Sequence, residues 1–324
     1  MRSRVTRGHS ALSEMVFEPP TVHCPLPATL DAEVRANEPL ARHTTFRIGG
    51  PADWWVRPRT VVALEAVVAA VGGRFTLLGK GSNVLVRDGG IRGVVVNLAH
   101  IDYLACAEDR LLVGAGLPLG RLLVAMRRHG LGGLEDLAGV PGTVGAAVRM
   151  NAGAHEDCMA DLLLAARVLD GQGYLRWWNA ADLGLRYRGS DLAPHEVVVE
   201  VALRARPARP APGERARQRL ATKRATQPLD LPNAGSIFKN PPGHSAWRLI
   251  RDAGLAGARL GQAEISAKHA NFIVNLGGAC AADVEVLIER ARAAVLARTG
   301  IALELEIQVL GEASRDARPG RSEI

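Results

Sequence analysis

The stretch "LLGKGSNVLVRD", residues 77–88, decides what kind of fold this chain can have. A short apolar run enters a turn of small residues, and "NVLV" leaves it as a second apolar run. Short β-branched runs bounded by glycine read as strands. A dinucleotide fingerprint of the G-x-G-x-x-G kind opens a helix at its last glycine, whereas this turn opens a strand. Gly79 and Gly81 let backbone N–H groups approach a ligand, and Ser82 and Asn83 add side-chain hydrogen bonds. Such a nest of donors suits a diphosphate. A tight hairpin turn would read the same way, so the rest of the chain must decide.

Two further segments are similarly poor in bulk. "LAGVPGTVGAAVRMNAGAHED" (137–157) carries Gly139, Gly142, Gly145 and Gly153, and "RHTTFRIGGPAD" (42–53) carries a glycine pair. Segments of this kind pack backbone on backbone or let a flat ligand come close. Three in one chain point to a shared cofactor cleft.

The 324 residues suffice for two or three domains, and 48% hydrophobic with 23% charged residues is a folded composition. A net charge of +7 and a pI near 9.7 favour anionic partners. No zinc finger, RNA-binding sheet signature or basic-aromatic stripe supports nucleic acid. Cys24, Cys106, Cys158 and Cys280 are far apart and form no C-x-x-C pair, which argues against zinc and disulfides and for a reducing, cytoplasmic setting. No apolar run is long enough to span a membrane, so no membrane insertion is expected. The basic N-terminus lacks a signal-peptide core, and Met15 is an alternative start.

Strands are expected at "DWWVRP", "FTLLG", "NVLVRD", "GVVVNL", "LLVGAG" and "EVVVEVALRA", and helices at "TVVALEAVVAAVGG" and "LPLGRLLVAMRRHG". They do not alternate as a doubly wound sheet would. "RPARPAPGERARQRLATKRATQPLDLP" begins as a linker near Pro207 and continues as an exposed basic helix. Beyond it come helices at "HSAWRLIRDAG" and "AADVEVLIERARAAVLARTG" and strands at "ANFIVNL" and "LELEIQVL". The expected division is a flexible extension (1–35), a larger unit (36–206), a smaller unit (207–312) and a disordered tail (313–324).

Three places carry candidate chemistry. "NAGSIFKNPPG" (233–243) sets one hydroxyl, Ser236, between a glycine turn and the pair Phe238-Lys239. In "LRYRGS", strand alternation would put Arg186 and Arg188 on one face and Tyr187 on the other. In "LELEIQVLG", Leu303, Leu305, Ile307 and Val309 would be buried and Glu304 and Glu306 solvated. The pattern alone does not choose between the two glutamates.

"HTTFRIGGPAD", "LGKGSNVLVRD", "AGVPGTVGAAVRMNAGA", "YRGS", "NAGSIFKNP", "KHANFIVN" and "LELEIQVLG" occur in an order that resembles the UDP-N-acetylenolpyruvoylglucosamine reductases, the MurB family, over residues 36–312. The resemblance implies an α+β protein, with a two-part FAD-binding domain of the PCMH/VAO-like type and a smaller α+β C-terminal substrate domain. It implies an NADPH-dependent oxidoreductase of peptidoglycan precursor synthesis that reduces UDP-N-acetylglucosamine enolpyruvate. Ser236 falls on the family's proton donor, Arg188 on the arginine of its "YR" motif, and Glu306 on its catalytic glutamate. FAD contacts are implied at Arg47, Gly79, Lys80, Gly81, Ser82, Asn83, Gly142, Thr143, Gly145, Asn151 and Gly153. Tyr187, Lys239 and Asn240 fall on substrate-binding positions. Lys80 and Ala146 stand where many members have glycine, and no Tyr follows Ser190, so the chain resembles the subgroup without an extra Tyr-bearing loop. A flavoprotein oxidase, or a catalytically dead protein on the same fold, are the readings to be separated from this one.

Overall fold

The computed structural model describes residues 24–208 and 212–314. Residues 1–23 and 315–324, which hold most of the expected extension and tail, lie outside the described residues. Strand β1 (Ala32–Pro39) pairs antiparallel with β2 (Pro51–Pro58), so the first sheet begins ahead of position 36. Helix α1 (Val61–Val71) starts where Thr60 accepts the Ala63 amide at 3.1 Å and stops at Gly72, whose φ is +57°. It leads to β3 (Phe75–Leu77), β4 (Val84–Val86) and β5 (Ile91–Val96). The first sheet has the order β1-β2-β5-β3, with β5 parallel to both neighbours.

A second sheet starts with the hairpin β6 (Leu104–Ala107) and β7 (Arg110–Gly114). Helix α2 (Leu119–Arg128), the short β8 (Leu131–Gly132), helix α3 (Val144–Arg149) and the small hairpin β9 (Gly153–Ala154) and β10 (Asp157–Cys158) follow. Strands β11 (Leu163–Leu169), β12 (Leu175–Asn179) and β13 (Val197–Arg204) complete an antiparallel sheet of order β12-β11-β13-β7-β6. Strand β14 (Arg206–Pro207) returns to pair with β8. One core joins the two sheets: Leu64, Val67 and Val68 of α1 lie in the same cluster as Val113 and Val201. Each such side chain, fully buried, contributes about 1.5–3 kcal/mol.

The C-terminal part holds α4 (Pro212–Thr226), α5 (Ala246–Asp252), a sheet of β15 (Arg259–Leu260), β16 (Ala263–Ile265) and β17 (Ile273–Asn275), and α6 (Ala281–Thr299). Its core takes Phe46, Ile48 and Leu85 from the first part. The last strand, β18 (Gln308–Leu310), pairs parallel with β4, directly after the glycine loop.

Three local expectations are corrected. The strand expected over "LELEIQVL" is confined to Gln308–Leu310, because residues 304–306 spend their backbone bonds on the Ser236 loop. Glu306 donates its amide to the Ile237 carbonyl at 2.8 Å, and the Glu304 carbonyl accepts from Lys239 N at 2.9 Å. The segment "RYRG" is a tight turn closed by two Arg186–Gly189 backbone bonds of 3.0 and 3.2 Å, with Arg188 at φ +57°. The basic helix α4 is not wholly solvated, since Arg215 and Arg219 both grip the fully buried carboxylate of Asp136.

Candidate active site

The glycine loop 79–83 forms one wall of a cleft of about 1100 Å³, open mouth included, faced by residues 115–118 and 142–150. Gly79, Lys80, Gly81, Ser82, Asn83, Gly142, Thr143 and Gly145 all line it. Gly81 has φ +59°, and a Cβ there would lie 2.4 Å from the His43 carbonyl oxygen, so no other residue fits. Gly145 is needed for packing, since its Cβ would meet Ala115 Cβ at 2.7 Å. Gly79 and Gly142 differ. Their nearest neighbours would be 3.6 and 3.8 Å away, so a side chain at either would occupy cleft space rather than strike protein. Among the described residues, the amides of Gly79, Lys80, Gly81 and Ser82 have no partner in the chain. Small lining residues, open amides and this volume suit a large cofactor with a diphosphate.

The other expected FAD positions, Arg47, Asn151 and Gly153, are not among the residues that line the cleft. Arg47 is exposed in a left-handed turn. Asn151 accepts from the Ala160 amide at 3.0 Å and donates to the Arg186 carbonyl at 3.2 Å, and Gly153 offers its carbonyl to Arg188 Nη1 at 2.7 Å. Both therefore fasten the Arg188 turn. Arg149 fastens its far end through the carbonyls of Leu192, Ala193 and Glu196.

Ser236 sits half-buried in a loop braced from both sides. Asn233 Oδ1 accepts the Gly235 amide at 2.9 Å, and Asn271 clamps Phe238 by a pair of bonds at 2.9 and 2.8 Å. Phe238 is buried. A Cβ on Gly235 would lie 3.8 Å from the Ser82 carbonyl, which brings the serine loop up to the cofactor loop. Lys239 pairs with Glu304, and Asn240 caps α5 by accepting the Ala246 amide at 3.0 Å.

Arg188 Nε lies 2.8 Å from Glu306 Oε1, although the N–H points poorly at that oxygen. Tyr187 is exposed, with its ring 5.4 Å from the Arg188 guanidinium carbon. Glu306 keeps 16% of its side chain exposed and Glu304 keeps 72%, so the two glutamates do not share one solvated face. Burial pushes the Glu306 carboxyl above the ordinary range, and Arg188 and then Lys239 oppose the shift.

Sequence reasoning missed Lys223. Its Nζ donates to the Ala138 carbonyl at 3.1 Å, and burial, then the charge of Arg188, lowers its pKa to about 8. The available signal was the spacing of Arg215, Arg219 and Lys223, which puts three bases on one face of a helix.

Residues 227–310 match the family described as UDP-N-acetylenolpyruvoylglucosamine reductase, C-terminal domain, and residues 52–179 match an FAD binding domain. A UDP-N-acetylenolpyruvoylglucosamine reductase of Geobacter metallireducens is 45% identical over 295 residues, 89% of this chain and 97% of that one. The chain belongs to the UDP-N-acetylenolpyruvoylglucosamine reductase family. A Moorella thermoacetica reductase of the same name is 47% identical over 287 residues, 87% of this chain and 95% of that one. The crystal structure of the Thermus caldophilus reductase (MurB) superposes with a TM-score of 0.74 at 37% identity, covering 86% of this chain and 99% of that one. The fold is the α+β type with an FAD-binding domain that this family shares.

Proposed function

We propose that this chain reduces UDP-N-acetylglucosamine enolpyruvate to UDP-N-acetylmuramate in the cytoplasm, with NADPH as reductant, for peptidoglycan precursor synthesis. The observation that carries this reading is the Arg188–Glu306 pair, in which the Glu306 amide is bonded to the Ile237 carbonyl of the Ser236 loop beside the glycine-lined cleft. Residues 36–206 hold FAD and residues 207–312 hold the substrate, with β18 crossing back to β4. Reduced FAD, when bound, supplies the hydride for the vinyl carbon of the enol ether.

The chain does the rest. The amides of residues 79–82 would hold the cofactor diphosphate, and Gly79 and Gly142, where a side chain would occupy cleft space, would leave room for it. As the vinyl carbon gains hydride, negative charge develops on the neighbouring carbon and its carboxylate. Arg188 is preorganised to meet that charge, held by Gly153 on one side and Glu306 on the other. Burial favours the protonated form of Glu306, in which the carboxyl donates to the substrate carboxylate rather than repelling it. Ser236 then gives its proton to the carbanion. A hydroxyl is a weak acid in water, yet against such a base it needs position more than strength. Lys239, Asn240 and Tyr187 face the nucleotide end.

The test is spectroscopic. The purified yellow protein, held without oxygen, bleaches on NADPH and regains its absorbance when UDP-N-acetylglucosamine enolpyruvate is added. Recovery with oxygen alone and none with that substrate would support a flavoprotein oxidase, and no bleaching at all would support a protein without turnover.

A further inference from the structure

The segment "HTTFRIGG" (43–50) lines no part of the glycine-lined cleft, yet it touches the cofactor loop and the serine loop at once. Thr45 makes both contacts. Its amide donates to the Gly81 carbonyl at 3.2 Å, and its hydroxyl donates to the Asn233 carbonyl at 2.7 Å. The hydroxyl also lies 3.3 Å from the Gly81 oxygen, but its single proton serves the shorter bond better. One residue thus ties together two loops that lie 36 and 188 positions away from it.

Both ends of this tie are stiff. On one side, Thr44 Oγ1 donates to the Ile48 carbonyl at 3.0 Å, and Phe46 is fully buried in the C-terminal core. Asn275, 4% exposed, donates to the Phe46 carbonyl at 3.1 Å, while its Oδ1 accepts the amides of Gly277 and Ala279 at 2.9 and 3.0 Å. On the other side, the Asn233 side chain donates to the Leu231 carbonyl at 2.8 Å and accepts the Gly235 amide at 2.9 Å. Gly235 directly precedes Ser236, so a shift of the Asn233 carbonyl is passed on to the serine.

Thr45 is exposed. An exposed hydroxyl loses little by turning to water, because folding only exchanges one hydrogen bond for another. The value of this bond therefore lies in placement. In the proposed reaction, hydride reaches one carbon and the proton reaches its neighbour, so the donor loop and the cofactor loop must keep their spacing to a fraction of an ångström. We propose that Thr45 is a positioning residue that sets Ser236 against the cofactor loop. The inference rests on the reading of Ser236 as the proton donor.

The test uses the full-length, flavin-loaded protein and stopped-flow absorbance of both half-reactions. Thr45→Val keeps the branched shape and removes the hydroxyl. It should slow reoxidation by UDP-N-acetylglucosamine enolpyruvate about 10–10²-fold, the scale of a displaced reacting group, and leave flavin reduction by NADPH near that of the parent. Thr45→Ser keeps the hydroxyl and should recover most of the rate. In a Ser236→Ala background, Thr45→Val should add no more than about a twofold loss, since no donor is left to place. Thr45→Ala carries the same comparison should Thr45→Val not keep its flavin. If Ser236→Ala leaves reoxidation unchanged, the donor reading falls and the role of Thr45 falls with it. If Ser236→Ala is slow, the positioning role alone is overturned by any of four results: an unchanged rate in Thr45→Val, equal slowing of both half-reactions, no recovery in Thr45→Ser, or the full loss repeated on top of Ser236→Ala.

Discussion

The Asn83 side-chain amide donates to the Glu306 carbonyl at 2.9 Å, and the Asn83 carbonyl accepts the Gln308 amide at 2.9 Å. The glycine loop that lines the cleft thus fixes the backbone of Glu306. Asn83→Ala should cost about 0.5–1.5 kcal/mol of stability, the net worth of one hydrogen bond. It should also slow flavin reoxidation by substrate more than flavin reduction by NADPH. Urea midpoints and stopped-flow absorbance check the two effects, and equal slowing of both half-reactions would break the link to Glu306.

Ser236→Ala removes one oxygen from a loop whose bracing bonds run through Asn233 and Asn271. Flavin content and flavin reduction should stay near those of the parent protein. Reoxidation by the enolpyruvyl substrate should slow roughly 10²–10⁴-fold, the range for a positioned general acid. Ser236→Cys keeps a transferable proton and should recover part of the rate. A serine that merely shapes the turn would leave reoxidation unchanged.

Glu306→Gln should depress reoxidation about 10²–10³-fold. Glu304→Gln should change it little, because that carboxylate is largely exposed and pairs with Lys239. A larger loss at Glu304 reverses the assignment. Arg188→Ala should resemble Glu306→Gln, since both are tied to charge that appears only after hydride arrives.

Lys223 and Glu306 both predict a pH dependence. Lys223 has a folded pKa of about 8 against an ordinary 10.5, so between these values the unfolded chain binds more protons and stability rises with pH. Lys223→Met should flatten that rise, as measured by urea midpoints at several pH values. Glu306 is shifted upward from 4.5, so the folded chain holds the extra proton and stability falls as pH climbs from that range through the raised value. Glu306→Gln should remove that fall.

Asp136 works in the opposite sense. The Arg215 guanidinium, helped by Arg219, holds its carboxyl far below the ordinary 3.8 despite burial. Its contribution is therefore present above that ordinary value and is lost as pH drops through the lowered one. Asp136→Asn should cost about 1.5–3 kcal/mol, the worth of a hydrogen bond to a charged group. The variant should also lose less stability than the parent in acid. Thermal denaturation across the acid range measures both.

The glycine loop was legible because residue type and flanking pattern agree. Gly81 admits no side chain, and the apolar runs on either side are strands. The Arg188 turn was not legible, because three residues of alternating type fit a strand or a turn equally well. Its backbone is left-handed at Arg188, whose side chain is held by Gly153 and Glu306, both remote in sequence. Glu306 was chosen over Glu304 by resemblance alone. What separates them in space is the set of bonds from Asn83 and Ile237, which a local hydrophobic period does not encode. Lys223 went unread because a basic helix face looks solvated until its partner, the 136–138 segment, is known.

The pairing of β18 with β4 has a consequence for how the protein is made. A ribosome finishes β4 more than two hundred residues before it releases the strand that lies beside it. Until then the edge of β4 and the glycine loop lack their neighbour, and the carbonyl of Asn83 lacks its Gln308 donor. Such a distant contact closes late, because its loop entropy must be overcome first. Tight flavin capture therefore belongs to the completed chain, and a premature stop ahead of Gln308 leaves a polypeptide that has every cofactor-lining glycine yet cannot hold the loop that uses them.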